Sequence, residues 1–567
     1  MTGASATRWL PALALAAAFG VALFAGLGQP LLWSDEGETA VYAERVLAYG
    51  YPKARDQRNL VYDVGVPLSA GVREPSGAFV ASPWLPYYVA AAGAALAARA
   101  DDLHAKTRWL RLPFALAGAL AVAVAAAALA ALAGPGGRRP ALVAALLAAA
   151  LGSVSLILHA REVRYYALAA LELAALAAVH VWFRALGRGR LLAYAASTGG
   201  LLLLLFHSFL PGFAAAASAI GLDAVAEAWE SRRGDWKAPL GRAALALGPA
   251  LLLAIPGLAF YRTLLIGRLA SRAVPMSFAA HLHDLGQALE YWLRFEFLAP
   301  ALVARGLRAA LARGRPATPI TRTCRFLWLL IAALTAFVSL LPWFYSRYLV
   351  VASPLVSALA LLELAALADA SSGRARRAAL AAASLAWLMS AVARAPEIAG
   401  RIEEIRNPYV GPLDVAIAQI RERYRDPRDL LIATNYEASV LIFYLQSRVI
   451  GSAPGDTEGA GAREPDIVIP RRAWVGPRLD AVLAYLQRGR WESDVLPVPD
   501  LPVNQIAELH EDPALPLVAE TRRRLRERSP LDADDGALRH RFRTATGEGP
   551  YGPLTLYYRP APDPRGG

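Results

Sequence analysis

The feature that most constrains this chain is a succession of long apolar runs, at residues 8–28, 111–133, 141–158, 166–185, 191–206, 208–224, 243–262, 286–304, 325–343, 348–369 and 377–394. In hydrocarbon such a run has no water for its N–H and C=O groups. It closes its hydrogen bonds internally as a helix, and about 20 residues cross the bilayer core. The pattern predicts a polytopic α-helical membrane protein with about eleven transmembrane helices. With 56% hydrophobic and only 19% charged residues and a mean hydropathy of +0.36, the chain is too apolar for soluble domains alone. The first run is longer than a signal-peptide core and is followed by Trp33, Ser34 and Asp35 without a small-residue cleavage site, so it reads as a retained helix.

The net charge of +13 does not point to nucleic acid as a partner, because the bases lie in short clusters between apolar runs. Arg138 and Arg139, then Arg184, Arg188 and Arg190, then Arg232, Arg233, Lys237 and Arg242, then residues 305–325, then Arg374, Arg376 and Arg377 fall in alternate loops. The positive-inside rule assigns those loops to the cytoplasm. With a cytoplasmic N-terminus, residues 31–110, the turns at 159–166 and 344–347, the loop at 263–285 and everything after 394 lie on the other side. The prediction is a multi-pass protein of the plasma (inner) membrane. Residues 84–98 are apolar but short, and a crossing there would turn the Arg138 loop outward; they are expected as a half-embedded helix at the outer surface.

Beyond Pro396 charge and proline rise and the apolar runs end, which divides the chain into a transmembrane domain, 1–395, and an extracytoplasmic soluble domain, 396–567. Within the latter, 430–433, 466–470 and 554–558 read as strands and 437–446 as a helix, so an α/β fold is expected. The single cysteine, Cys324, excludes an intramolecular disulfide, and this domain must hold itself by its own core.

Polar residues at the outer helix ends are the ones a plain membrane anchor would not need. Asp35 and Glu36 emerge directly from the first helix. Two carboxylates at a bundle mouth can act as general base, bind a divalent cation, or both. The structural alternative makes Asp35 an N-cap with Glu38 as its capping-box partner, leaving Glu36 to face the cavity. In HAREVRYYAL, residues 159–168, Arg161 and Arg164 stand three apart, on one helix face with Tyr165, and suit a phosphate; the alternative is an interfacial belt. Glu162 can pair with one of them or reach a metal. Arg347 gives a third outer cation, and His207 sits where the fifth span meets the outer surface, a place where histidines are more often interfacial than catalytic. His281, His283 and Asp284 in HLHD carry little metal-site specificity.

An acidic pair after the first helix, then ETAVYAERVLAYGYP, SPWLPYY, RLPFALAG, AREVRYYAL and RYLVVASP in this order resemble the GT-C superfamily of integral-membrane glycosyltransferases. The resemblance covers residues 1 to about 400 and is to the branch of protein O-mannosyltransferases and lipid A aminoarabinose transferases. It implies a GT-C-like fold and transfer of a sugar from a polyprenyl-phosphate donor to an acceptor hydroxyl on the extracytoplasmic face. Asp35 then corresponds to the acid that activates the acceptor, Glu36 to its partner, and the Arg161 to Arg164 segment, with Arg347, to the donor-phosphate lining. Glu162, Tyr165, His207 and Tyr87 are candidate substrate contacts. Where relatives read His-Pro-Pro, this chain has Ser82, Pro83 and Trp84.

One base and no evident nucleophilic carboxylate imply inversion, by a hexosyl- or pentosyltransferase. A divalent cation, Mg or Mn, would have Asp35, Glu36 and Glu162 as its candidate ligands. The acceptor is a lipid, glycan or protein. The rival classes are a transporter or lipid flippase, which would place polar groups near mid-bilayer where this chain has only Glu172 and Glu363, and a non-catalytic scaffold.

Overall fold

The computed structural model describes residues 7–62, 65–134, 138–231, 235–273, 277–311, 317–342, 344–370, 373–395, 398–399, 402, 406, 411–453, 463–474, 476–500, 504 and 552–560. Each apolar run lies on helix. In chain order the helices are α1 (Leu10–Phe24), α2 (Ser34–Tyr49), α3 (Leu85–Ala97), α4 (Leu103–Leu132), α5 (Arg138–Gly152), α6 (Val154–His159), α7 (Tyr166–His180), α8 (Leu191–Ser208), α9 (Leu210–Glu230), α10 (Lys237–Phe260), α11 (Thr263–Ala273), α12 (Phe278–Arg294), α13 (Leu298–Leu311), α14 (Pro319–Ser339), α15 (Ser353–Ala370) and α16 (Gly373–Val392). A π turn, Val181–Ala185, extends α7, and a 3-10 turn, Ser346–Ala352, precedes α15.

Among the described residues seven helices are long and apolar enough to cross a membrane: Thr7–Phe24, Leu103–Leu132, Tyr166–Ala185, Leu191–Ser208, Lys237–Phe260, Pro319–Ser339 and Ser346–Ala370. The protein is a multi-pass membrane protein. The other four runs differ for physical reasons. The run at 141–158 is divided at Ser153, whose hydroxyl caps α6 by accepting from the Leu156 N–H. That at 286–304 straddles the break between α12 and α13, where the buried Glu296 accepts hydrogen bonds from Ser153, Tyr291 and Ser353. The run at 208–224 continues along α9 through Asp223, Glu227 and Glu230, and the last lies on α16 behind Arg374, Arg376 and Arg377.

The bundle has two unlike ends. At one, acids and arginines carried by different helices pair: Arg138 with Asp369 at 3.1 Å, Arg242 with Glu227 at 2.9 Å, Arg325 with Asp223 at 2.7 Å and Arg308 with Glu363 at 2.9 Å. At the other end lie α2, α3, a two-stranded hairpin of β1 (Val72–Arg73) and β2 (Ala78–Phe79), and the sheet that follows the bundle.

That sheet is built from α17 (Pro412–Arg423), β3 (Leu431–Thr434), α18 (Ala438–Leu445), β4 (Arg448–Ile450), β5 (Ile467–Ile469), α19 (Pro477–Leu486), β6 (Glu492–Pro499) and β7 (Pro553–Tyr558). The strand order is β4-β3-β5-β7-β6, with β3 parallel to β4 and β5, and β7 antiparallel to β5 and β6. The strands expected at 430–433, 466–470 and 554–558 form its interior. The two edges were not anticipated: β4 has only three residues, and Pro497 and Pro499 give β6 a composition tolerated only at an edge. Residue 396, the expected domain boundary, lies outside the described residues.

Helix α18 packs directly on α2. The Ser439 hydroxyl donates to the Ser34 carbonyl at 3.2 Å, and the Tyr444 hydroxyl accepts from the Leu32 N–H at 3.1 Å. Asn504 donates to the Leu31 carbonyl while Asp414 accepts from the Leu31 N–H. The contact is close enough that a Cβ on Gly37 would stand 2.6 Å from Val440 Cγ2 and 2.9 Å from the Val440 nitrogen. Alanine gains about 0.5–1 kcal/mol over glycine inside a helix, but overpacking costs about 1–3 kcal/mol, so the clash wins. Gly37→Ala is expected to speed hydrogen exchange across 438–445 while leaving the transmembrane helices protected; unchanged exchange there would mean that α18 does not rest on α2.

Candidate active site

Everything at the α2 end turns on how α2 begins. Its N-cap is Trp33, in extended conformation and without a side-chain cap, and Ser34 already stands in the helix; at the other end Gly50 closes it with φ 81°. Asp35 is therefore not the N-cap that the sequence allowed. It sits in the first turn beside Glu36, and neighbours on a helix diverge by about 100°. The two carboxylates consequently face different surroundings.

Glu36 points inward, where it is fully buried and held by Arg111 of α4 through Nε at 2.8 Å and Nη2 at 2.5 Å. The Val163 N–H donates to the same carboxylate at 3.0 Å. Arg111 also donates to the Leu27 and Pro30 carbonyls at 3.2 and 2.8 Å. This cross-link joins α2, α4, the α1–α2 connection and the loop before α7. Glu36 does not face the cavity, which corrects its expected place beside Asp35 in the catalytic pair.

Asp35 points to the mouth, its side chain 28% exposed. One oxygen lies 3.2 Å from Arg164 Nη2 and 3.7 Å from Arg347 Nη2. Arg164 also approaches the Asp35 carbonyl and the Thr39 hydroxyl, both at 3.4 Å. Arg347 is buried and oriented by donating to the Tyr166 hydroxyl at 2.8 Å, with the Tyr345 ring 4.2 Å from its guanidinium. Tyr165 stacks on Phe209 at 4.9 Å and lies 6.2 Å from Tyr348, an aromatic wall behind the cations. The structure thus brings together Asp35, Arg164, Arg347 and Tyr165 from α2, the α6–α7 loop and the turn before α15.

Other sequence candidates lie apart from this group. The segment 160–165 is a loop between α6 and α7, so Arg161 and Arg164 do not share a helix face. Arg161 donates to the Ala25 carbonyl at 2.9 Å and to that of Gly26, covering the C-terminal end of α1. Glu162 is buried, 2.8 Å from His159 Nδ1. His207 bonds the Tyr261 hydroxyl at 2.9 Å and ties α8 to α10. Tyr87 is buried with its ring 5.0 Å from Tyr42. Burial, and after it the charge of Glu38, pushes its hydroxyl above the ordinary tyrosine range, so it is a neutral donor at physiological pH. His281 and His283 bond separately, to the Ser339 carbonyl and to Gln287.

Among the described residues no three His, Cys, Asp or Glu side chains converge. Asp35 is held by Arg164 and Arg347, Glu36 by Arg111, and Glu162 lies against His159, so each of the three carboxylates proposed as metal ligands already faces a cationic or imidazole partner.

No family profile matches the chain, and no curated protein sequence matches it. Among the similar solved structures are ArnT from Cupriavidus metallidurans in the apo state, 16% identical over 88% of this chain and 97% of that one with TM-score 0.53, and ArnT from the same organism bound to undecaprenyl phosphate, 16% identical over 80% and 87% with TM-score 0.48. The chain shares the ArnT fold. That fold is a helical membrane bundle followed by a small sheet.

Sequence reasoning did not single out Arg111, although an arginine opening an apolar run is itself a signal. Removing one partner of a buried ion pair leaves an uncompensated charge and costs about 3–5 kcal/mol, whereas replacing both with apolar residues costs far less. Arg111→Met is expected to lower the thermal unfolding temperature in nanodiscs, and Glu36→Leu with Arg111→Met to recover most of it. A double variant as unstable as the sum of the single ones would show that the two side chains act independently.

Proposed function

We propose that the protein is a membrane glycosyltransferase that moves a hexose or pentose from a polyprenyl-phosphate donor to an acceptor hydroxyl, at the extracytoplasmic mouth of its bundle. The observation that carries this reading is the single Asp35 carboxylate held between Arg164 and Arg347, 3.2 and 3.7 Å away. A polyprenyl tail lies in the bilayer beside the helices and leaves its phosphate at their ends. Two guanidiniums there suit a phosphate, through charge-assisted bonds that strengthen as charge develops on the leaving group. As the arginines turn to the phosphate, the Asp35 oxygens come free to take the proton of the attacking hydroxyl. Direct attack by one activated hydroxyl inverts the anomeric centre. The gathering of Arg138, Arg242, Arg308 and Arg325 at the opposite end of the bundle supports a cytoplasmic N-terminus and an extracytoplasmic sheet, in the plasma (inner) membrane. The shared fold supports the reading by analogy.

Asp35→Asn keeps the shape and removes the base. A general base contributes about 10²–10⁴-fold, so the variant should release free polyprenyl phosphate from polyprenyl-phosphate sugars at least 100-fold more slowly than wild type in liposomes supplied with envelope acceptors. Equal rates would remove Asp35 from the chemistry.

A further inference from the structure

Helix α7 reaches the mouth at one end and carries a groove at the other. Tyr166 opens it beside Arg347, and Trp182 stands about 16 residues on, roughly 24 Å along the axis. There a cavity of about 370 Å3 lies between α7 and α8, two of the helices long and apolar enough to cross the bilayer. Ala178, Val179, Trp182 and Phe183 line one side of it, at the spacing of a single helix face, and Ala193, Tyr194 and Ser197 line the other. The turn between the two helices closes its end with Arg188, Gly189 and Arg190.

The local chain explains why a groove forms here. The π turn that extends α7 parts its side chains, sending Arg184 to Glu227 and Asp223 of α9 and Trp182 and Phe183 to the groove. The Val181 carbonyl accepts from the Leu186 N–H and the Trp182 carbonyl from the Arg188 N–H, both at 3.0 Å, so the turn folds back on α7. Gly189, at φ 94°, passes so near the rings that a Cβ there would stand 3.8 Å from both Phe183 and Trp182. Phe183 stacks on the buried Tyr194 with ring centres 4.3 Å apart, which fixes the floor. Trp182 stays 51% exposed, as an indole does at the boundary between hydrocarbon and headgroups.

The cations over this floor differ from their neighbours. At the same end of the bundle Arg184, Arg242, Arg325 and Arg138 are each paired with a carboxylate. Among the described residues neither Arg188 nor Arg190 pairs with one, and both are exposed. Arg188 is positioned without being neutralised, its guanidinium 5.2 Å from the centre of the Trp182 ring. Two such guanidiniums at headgroup depth, above an apolar floor between spanning helices, match a phosphodiester that carries acyl chains. A soluble anion would leave the floor uncovered, and a zwitterionic headgroup would bring an ammonium against the arginines.

We infer that this groove binds an anionic phospholipid of the leaflet opposite the Asp35 mouth. Its phosphate rests on Arg188 and Arg190, and the start of an acyl chain lies on Trp182, Phe183 and Ala193. The site is separate from the transferase reading and does not depend on it.

The test measures binding of dioleoylphosphatidylglycerol and dioleoylphosphatidylcholine to the full chain in detergent micelles by native mass spectrometry. The anionic lipid is expected to bind wild type at least tenfold tighter than the zwitterionic one, and R188Q/R190Q to lose at least tenfold of that affinity at an unchanged melting temperature. R374Q/R376Q removes the same charge from exposed positions on α16, which does not line the groove, and should lose less than twofold. A193W fills the groove without altering its charge and should weaken binding as much as the arginine variant does; if R188Q/R190Q melts early, A193W decides alone. Equal affinity for the two lipids, an equal loss in R374Q/R376Q, or full affinity in A193W overturns the inference. Glycerol 3-phosphate in tenfold excess should leave the bound lipid in place, and displacement would overturn it too by making the groove a site for a soluble anion.

Discussion

The buried pair between Glu36 and Arg111 is the constraint on which the α2 end depends. Neither charge can stay in a low-dielectric interior without the other, so the pair fixes how α2 is rotated about its axis and how deep it sits. With Glu36 committed inward, the helical repeat leaves Asp35 one position away, facing the mouth. The remaining donors of Arg111 hold the α1–α2 connection, and the Val163 N–H on Glu36 holds the loop that carries Arg164. One ion pair thereby positions both the carboxylate and a cation that meets it.

Helix α2 also serves as the seat of the outer sheet. Gly37 admits the backbone of α18, and the Leu31 and Leu32 main chain is bonded by Asp414, Asn504 and Tyr444. The Tyr444 hydroxyl reaches Thr107 of α4 as well, so the sheet is fastened to the bundle through the same two helices that share the ion pair. A rearrangement at either surface of α2 is felt at the other, because a packed helix moves as a rigid unit.

The helices were legible in the sequence because burying backbone in hydrocarbon leaves one solution for a long apolar run. Residues 84–98 were legible for the converse reason: too short to span, they form α3 on the packed end of the bundle. Breaks inside runs were not legible, since Ser153 and Glu296 interrupt them through hydrogen bonds made to each other across 143 positions of sequence. At the site, Asp35, Arg164 and Arg347 could be picked out as charges at helix ends without a structural need. Their neighbours Glu36, Arg161 and Glu162 carry the same charges, yet each found its partner on a distant segment. Sequence shows that a charge is present and not which way a turn of chain sends it.

The most direct measurement is the affinity of the purified protein in nanodiscs for polyprenyl phosphate, compared among wild type, Arg164→Gln, Arg347→Gln and Asp35→Asn. If the two guanidiniums that flank Asp35 are the phosphate ligands, each arginine variant should bind at least tenfold more weakly, because a charge-assisted bond worth about 1.5–3 kcal/mol is lost. Asp35→Asn should bind as well as wild type or better, since it removes the competing carboxylate. Undiminished binding in both arginine variants, or a loss of binding in Asp35→Asn alone, would contradict it.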